Sequence, residues 1–289
     1  MTLAEHVSAG RVRLSAAGIG AADAAVDAEV LARRLLGWDR ARYLADCRED
    51  PPAWFGVSYR AWIDRRAGRE PVSLIIGTRE FRGLDFEVSR DVLTPRPETE
   101  LVVEEARACA AELPAAGRRF PLIVDVGTGS GCLAVSLARE VPGARVIAID
   151  VSRAALAVAR RNADRHGVAG RVTFVRGALL DAVAAPIDLV VSNPPYVPTA
   201  EMAHLPPEVR DCEPAVALAG GADGLDVIRD LAGQAQRALA PGGWLVFEFG
   251  HGQEAGIRAA LGARPLLELV RIAADLQQIP RVAVARRLS

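Results

Sequence analysis

The sequence predicts an α/β protein, a mostly parallel seven-stranded sheet with an antiparallel C-terminal strand pair, carried behind a small N-terminal helical bundle. Three observations predict it. After residue 113, short β-branched runs alternate with segments of helical spacing, the pattern of strands that need crossover helices. Before about residue 68, apolar residues recur at helical spacing, as in Ala28, Leu31, Leu35 and Leu36. The 289 residues are 51% hydrophobic and 25% charged, so the chain can bury a full core without disulfides or a structural metal.

In the N-terminal part, Asp23 and Asp39 stand where they can start successive helices. Trp38, Trp54, Phe55, Tyr59 and Trp62 concentrate aromatic surface there and read as core. Residues 71–96 read as a connector whose alternating runs at 80–82 and 84–88, split by Gly83, suggest a hairpin. A helix is expected over 98–113, then strands at 122–126, 145–149, 172–175, 187–191 and 244–249. Helical spacing fills 133–140, 153–166 and 225–239. Runs 267–272 and 281–285 have no full helix between them, so they are expected to pair antiparallel and close the sheet. The expected domains are 1–75, a helical docking domain; 76–96, a hairpin linker; and 97–289, the α/β domain.

Charge and composition remove several function classes. The 35 basic residues are all arginine and face 36 acidic ones, leaving no basic excess to displace counterions from a nucleic acid. Cys47, Cys109, Cys132 and Cys212 lie far apart, and the four histidines have no ligand spacing, so neither a metal nor a disulfide framework is expected. The N-terminus carries no basic-then-apolar leader, and no apolar run has the length of a membrane span, which points to a cytoplasmic protein.

Two junctions carry chemistry. The strand at 122–126 runs into Gly127-Thr128-Gly129-Ser130-Gly131, with a helix opening at Cys132. Glycines let a ligand approach the backbone, and the helix start offers unpaired N–H groups. Asp150 closes the next strand, where a carboxylate can accept both hydroxyls of a ribose, so a nucleoside ligand is expected. The dinucleotide fingerprint Gly-x-Gly-x-x-Gly is not met, because residue 132 is Cys. With Asp125 two residues ahead, the turn resembles the cofactor loop of S-adenosylmethionine-dependent methyltransferases, which implies Gly127, Thr128, Gly129, Ser130, Gly131, Asp150 and Asn193 as cofactor contacts. The second junction is Ser192-Asn193-Pro194-Pro195-Tyr196, at the end of the fourth strand. Two prolines fix two φ angles and remove two donors, leaving rigid exposed carbonyls. The Asn193 side-chain oxygen and the Pro194 carbonyl can each accept one hydrogen of a substrate –NH2, and Tyr196 can cover a planar amide or base.

Asn-Pro-Pro-Tyr at this place resembles the signature of methyltransferases that alkylate planar amino groups. Together with Thr94-Pro95-Arg96-Pro97-Glu98-Thr99-Glu100, Glu213-Pro214 and residues 218–225, the chain resembles the release-factor glutamine N5-methyltransferases, the HemK/PrmC family, nearly end to end. The resemblance implies a Rossmann-like class I methyltransferase domain behind a helical domain. It also implies S-adenosylmethionine as methyl donor and the glutamine of the Gly-Gly-Gln loop of peptide-chain release factors as acceptor. On it, Asn193, Pro194 and Tyr196 are catalytic, and Asn193, Pro194, Pro195 and Tyr196 bind substrate. Arg96 and Glu98 either fix the linker at the cofactor mouth or simply start a helix with Pro97. Two places depart from the family, Ala178 where an acidic residue is common and residues 275–280 where a shorter glycine turn is usual. A ribosomal-protein glutamine methyltransferase, an adenine N6-methyltransferase and an inactive nucleoside-binding regulator remain as alternatives.

Overall fold

The computed structural model describes residues 1–113, 120–184 and 186–289. The chain opens with helices α1 (Leu3–Ala16), α2 (Ala21–Leu36), α3 (Arg40–Asp46), α4 (Phe55–Ala67) and α5 (Val72–Ile76), then a hairpin of β1 (Thr78–Phe81) and β2 (Leu84–Glu87). There follow α6 (Glu100–Ala111), β3 (Leu122–Val126), α7 (Cys132–Glu140), β4 (Arg145–Asp150), α8 (Arg153–Arg165), β5 (Val172–Arg176) and β6 (Ile187–Ser192). After the short α9 (Pro207–Arg210) come α10 (Asp226–Ala238), β7 (Leu239–Glu248), α11 (Glu254–Gly262), β8 (Leu267–Ala274) and β9 (Pro280–Arg287). The described residues form two compact units, Met1–Thr78 with Pro207–Cys212, and Arg79–Pro206 with Glu213–Ser289.

In the first unit, Leu3, Leu14, Ala28, Leu31, Phe55, Tyr59 and Ile63 close a small core. Thr2 and Glu5 make a reciprocal capping box on α1, and Asp39 caps α3 by accepting from the Arg42 N–H at 2.7 Å. Asp23 is no cap: α2 starts at Ala21 behind Gly20, and Asp23 lies in its first turn, where it favours the helix dipole. The aromatic expectation needs a similar correction, because Phe55 and Tyr59 are buried but Trp54 is 53% exposed. The connector holds an unexpected helix, α5, whose run Val72-Ser-Leu-Ile-Ile76 is too short to show a period.

No feature of residues 207–212 marks them in the sequence as part of the helical unit, yet they group with it. Arg66 of α4, only 8% exposed, donates to Asp27 Oδ2 at 2.7 Å and to Glu208 Oε1 at 3.0 Å. Glu208 Oε1 accepts again from Arg69 at 3.0 Å. A buried guanidinium must be paired on this scale to offset its desolvation, and the two bonds to Glu208 hold α9 in the bundle.

The second unit is a seven-stranded sheet in the order β5-β4-β3-β6-β7-β9-β8. Neighbours from β5 to β7 pair parallel, and β9 is antiparallel to both β7 and β8. Successive strand residues go to opposite faces. Ile123, Val146, Val191 and Val246 pack with α6, α7 and α8, while Val124, Ile149, Val190 and Leu245 pack with α10 and α11. Both faces are covered, which is why these strands read as unbroken apolar runs. β7 starts five residues earlier than expected, with a register irregularity between the Ile187↔Leu239 and Leu189↔Trp244 pairs that absorbs Pro241-Gly-Gly243. The departure at 275–280 folds as a side-chain-stabilised turn in which Asp275 Oδ1 accepts from the Gln277 and Ile279 N–H groups at 2.9 and 3.0 Å. No helix among the described residues is long and apolar enough to cross a membrane. The first strand of the sheet in chain order, β3, has later strands on both sides, β4 and β6, and the crevice above that reversal is where open α/β sheets bind ligands.

Candidate active site

The glycine turn follows β3. Gly127, Gly129 and Gly131 all have positive φ, at 71°, 53° and 82°, which side chains rarely adopt. Any Cβ on Gly131 would also come within 3.0 Å of the Ala159 Cβ on α8, so the third glycine lets two helices approach. The turn is tied to the sheet by the Gly127 and Thr128 N–H groups, both donating to the Ile149 carbonyl at 2.9 Å. Asp150 receives Gly129 N–H on Oδ2 at 2.9 Å and Ser152 N–H on Oδ1 at 2.8 Å. Each carboxylate oxygen keeps a lone pair for a ligand.

Two buried polar residues hold this turn from below. Asn162 of α8 donates to the Ser130 and Glu87 carbonyls at 2.8 and 3.0 Å and accepts from the Glu87 N–H at 2.7 Å, bolting the glycine turn to the hairpin. Asp125 is fully buried; its Oδ2 accepts from Thr128 Oγ1 at 2.6 Å and from the Ala134 N–H at 3.1 Å, and its Oδ1 has no partner among the described residues. It braces the turn against α7. Burial pushes the Asp125 carboxyl up to about 7, against the pull of those hydrogen bonds.

That shift has a sign that can be measured. The folded chain binds this proton more tightly than the unfolded one, so the group's contribution is fully present below the unfolded value of about 4 and is lost as pH rises through the folded value. Between about pH 5 and pH 8, wild-type stability is expected to fall by roughly 2–4 kcal/mol more than that of Asp125→Asn, read from urea unfolding at both pH values. Equal slopes in the two proteins would mean that Asp125 does not titrate there.

β6 ends beside β3, with the Ser192 hydroxyl donating to the Val126 carbonyl at 2.8 Å. Asn193 Nδ2 donates to Thr99 Oγ1 at 3.0 Å, and Thr99 Oγ1 lies 2.6 Å from Glu248 Oε2. Tyr196 donates its hydroxyl to Glu248 Oε1 at 3.1 Å. Burial raises both the Glu248 carboxyl and the Tyr196 phenol above their ordinary ranges. Behind the prolines, Gln253 Nε2 donates to the Tyr196 carbonyl at 2.9 Å. A Cβ on Gly220 would meet the Gly224 and Pro195 carbonyl oxygens at 2.6 and 2.8 Å, so 218–225 needs glycine to back the Asn-Pro-Pro-Tyr arch. Across the mouth, Arg96 Nη2 donates to the buried Glu213 Oε2 at 2.6 Å, which brings Pro95 and Pro214 to one cavity. Burial raises the Glu213 carboxyl and the Arg96 charge opposes it. The two readings of this run thus fall on different residues: Arg96 fixes the linker, while Pro97 and Glu98 open a single turn before α6.

These elements surround a cavity of about 440 Å³. Its walls include Gly127, Thr128, Gly129 and Ser130 of the glycine turn, with Asp150, Ala178, Asn193, Pro194 and Pro195, so most residues expected from the sequence converge there; Gly131 does not line it and instead caps the start of α7. Tyr196 does not line it: the hydroxyl is anchored on Glu248 and the ring packs on the core cluster of α10 and α11, a supporting place instead of the covering one expected. Ala178 lines the wall without supplying a polar group. Asp91, Asp150 and Asp230 line the cavity, and among the described residues no arginine or histidine does. Three carboxylates without a cation suit a positively charged nucleoside and repel a pyrophosphate. Glu248 and Gln253 were not singled out from the sequence, and Thr99 stood there only as part of the Thr94–Glu100 run, without a role of its own. The signal for Glu248 was a lone acid inside the apolar run Trp244-Leu-Val-Phe-Glu-Phe249. Among the described residues, no group of His, Cys, Asp and Glu side chains is placed to hold a metal.

Comparison with known proteins agrees with this geometry. A family model described as "Methyltransferase small domain" matches residues 106–205, and one described as "PrmC N-terminal domain" matches residues 5–77. The chain is 41% identical over 286 residues to the release factor glutamine methyltransferase of Cereibacter sphaeroides, covering 99% of each chain. It is 42% identical to that of Bradyrhizobium diazoefficiens, over 92% of this chain and 89% of the other. Two solved structures share the fold at lower identity. One is the hMettl16 catalytic domain in complex with MAT2A 3'UTR hairpin 6 (TM-score 0.56, 16% identity, 81% of this chain and 82% of that one). The other is a methyltransferase from Pyrococcus furiosus (TM-score 0.53, 19% identity, 72% and 91%). With the glycine turn, the Asn-Pro-Pro-Tyr arch and near full-length identity above 40% to such relatives, the chain belongs to the release factor glutamine methyltransferase family.

Proposed function

We propose that this protein transfers a methyl group from S-adenosylmethionine to the side-chain amide nitrogen of the glutamine in the Gly-Gly-Gln motif of peptide-chain release factors, in the cytoplasm. The observation that carries the donor is the cavity at the glycine turn, lined by Asp91, Asp150 and Asp230 and, among the described residues, by no arginine or histidine. It disfavours NAD or FAD, whose pyrophosphate needs positive partners. The relatives' names favour release factors over ribosomal proteins or adenine as acceptor.

When bound, S-adenosylmethionine supplies a methyl group activated by its sulfonium. Asp150 would take the ribose hydroxyls on its remaining lone pairs, and Gly127 to Gly131, with the Thr128 and Ser130 backbone, leave room for the methionine portion along the turn. A glutamine amide is a poor nucleophile because resonance draws its lone pair into the carbonyl, so positioning must supply much of the rate. Asn193 Oδ1 and the Pro194 carbonyl each accept one amide hydrogen, which turns the nitrogen toward the donor. As that nitrogen becomes cationic, both acceptors bind it more strongly than they bound the neutral amide, which favours the transition state. Pro195 keeps the arch stiff. The nitrogen then loses its extra proton to water.

The test is mass spectrometry of a purified release factor and of its Gly-Gly-Gln Gln→Ala form after incubation with the protein and S-adenosylmethionine. One methyl on the glutamine and none on the variant is expected; equal labelling of both removes this substrate. Residues 1–75 are proposed to carry the docking surface, so the KM for a whole release factor should lie well below that for a short Gly-Gly-Gln peptide. Equal values would remove that role.

A further inference from the structure

Four residues far apart in sequence meet in one buried chain of hydrogen bonds. β6 and β7 run parallel with Ser192 opposite Phe247, so Asn193, just past the end of β6, comes beside Glu248, the last residue of β7. Thr99, 1% exposed, stands between them at the start of α6. Its hydroxyl has a single proton. Because Asn193 Nδ2 donates to Thr99 Oγ1 at 3.0 Å, that proton must go to Glu248 Oε2, 2.6 Å away. Glu248 Oε1 accepts a hydrogen bond from the Tyr196 hydroxyl at 3.1 Å. The direction of every bond is then fixed, with the carboxylate as the final acceptor. The oxygen and nitrogen of an asparagine amide diverge from one carbon, so tying Nδ2 to Thr99 turns Oδ1 away from Thr99, on a residue that lines the cavity.

We propose that Thr99 and Glu248 are positioning residues that hold the Asn193 amide with its oxygen toward the acceptor substrate, through a relay that runs in this direction only while Glu248 is ionised. The proposal rests on the acceptor role given above to Asn193. A proton on Glu248 Oε2 reverses the chain: Glu248 donates to Thr99, Thr99 donates to Asn193, and the amide turns its NH2 toward the cavity. A donor there repels the substrate –NH2 that an acceptor would hold. The groups that bias Glu248 are Thr99 and Tyr196, which favour its charge as donors, Arg281 on β9, which favours it, and Glu98 ahead of α6, which opposes it. The buried Cys132 thiol on α7, kept neutral by burial, is a further titratable neighbour. Burial is the largest influence and raises the Glu248 carboxyl, so the reversal lies above the ordinary carboxylate range.

The experiment compares Thr99→Val, Thr99→Ser, Tyr196→Phe and Asn193→Ala with wild type. It measures kcat and KM on a release factor across pH, together with S-adenosylhomocysteine affinity by calorimetry. Thr99→Val keeps the side-chain shape and removes the relay; kcat should fall at least about 10-fold with cofactor affinity within about two-fold, and Thr99→Ser should restore kcat to within about three-fold of wild type. The acid limb of the wild-type kcat profile should vanish in Thr99→Val. In Tyr196→Phe it should move to higher pH, since one stabilising donor to the carboxylate is gone. The Tyr196→Phe profile keeps the proposal testable if Thr99→Val does not fold. Wild-type kcat in Thr99→Val alongside a disabled Asn193→Ala overturns the relay and leaves the acceptor role standing. Parallel loss of cofactor affinity in Thr99→Val, or an unmoved limb in Tyr196→Phe, also overturns it. Near wild-type kcat in Asn193→Ala overturns the acceptor role itself.

Discussion

Asn193→Ala is expected to lower kcat about 100-fold or more while S-adenosylhomocysteine affinity changes by no more than about five-fold. The split follows from where the residue sits. Asn193 lines the cavity beyond the end of β6, and its side chain is fixed from behind by Thr99. Truncation leaves the glycine turn and Asp150, which are braced by Asn162, Asp125 and Ile149, untouched. What goes is one of two acceptors that aim the amide nitrogen, and loss of aim at a weak nucleophile appears in the chemical step. Single-turnover methyl transfer against calorimetric affinity separates the two quantities. A loss of affinity as large as the loss of rate would place Asn193 chiefly on the cofactor.

Asp150→Ala is expected to behave in the opposite way, weakening S-adenosylhomocysteine binding about 10- to 100-fold, with kcat at saturating donor much less affected. Hydrogen bonds to a charged group contribute about 1.5–3 kcal/mol each, and one such bond to a ribose hydroxyl already accounts for roughly ten-fold. The same substitution strands the Gly129 and Ser152 N–H groups that Asp150 now accepts, loosening the turn. Calorimetry on the variant and on Asp150→Asn, which keeps the side-chain size, resolves the two contributions. Unchanged affinity in Asp150→Ala would move the ribose site elsewhere in the cavity.

Much of this architecture was legible because the residues that build it repeat. Strands buried on both faces show as runs such as Leu122-Ile-Val-Asp-Val126, and Gly127, Gly129 and Gly131 show because the backbone at all three has a conformation other residues resist. The antiparallel close was readable from the missing helix between β8 and β9. What stayed hidden depended on single residues whose partners are distant in the chain. Asn193 and Glu248 come side by side only when β6 and β7 align, Thr99 reaches Glu248 only from the start of α6, and Arg66 finds Glu208 only once 207–212 has folded into the helical bundle. Tyr196 was misplaced for the same reason: an aromatic after two prolines reads as a cover, and only the position of Glu248 shows which way its hydroxyl turns. Trp54 was misjudged because its residue type alone does not show that it stands just ahead of α4, at the N-cap, where it is exposed.

The most direct measurement is a crystal structure of the protein with S-adenosylhomocysteine and a peptide bearing the Gly-Gly-Gln glutamine. The predicted result is an amide nitrogen within hydrogen-bond reach of both Asn193 Oδ1 and the Pro194 carbonyl, facing the cofactor sulfur. A glutamine bound in the cavity with its nitrogen on other groups, or with Asn193 turning its NH2 to the substrate, would contradict the account.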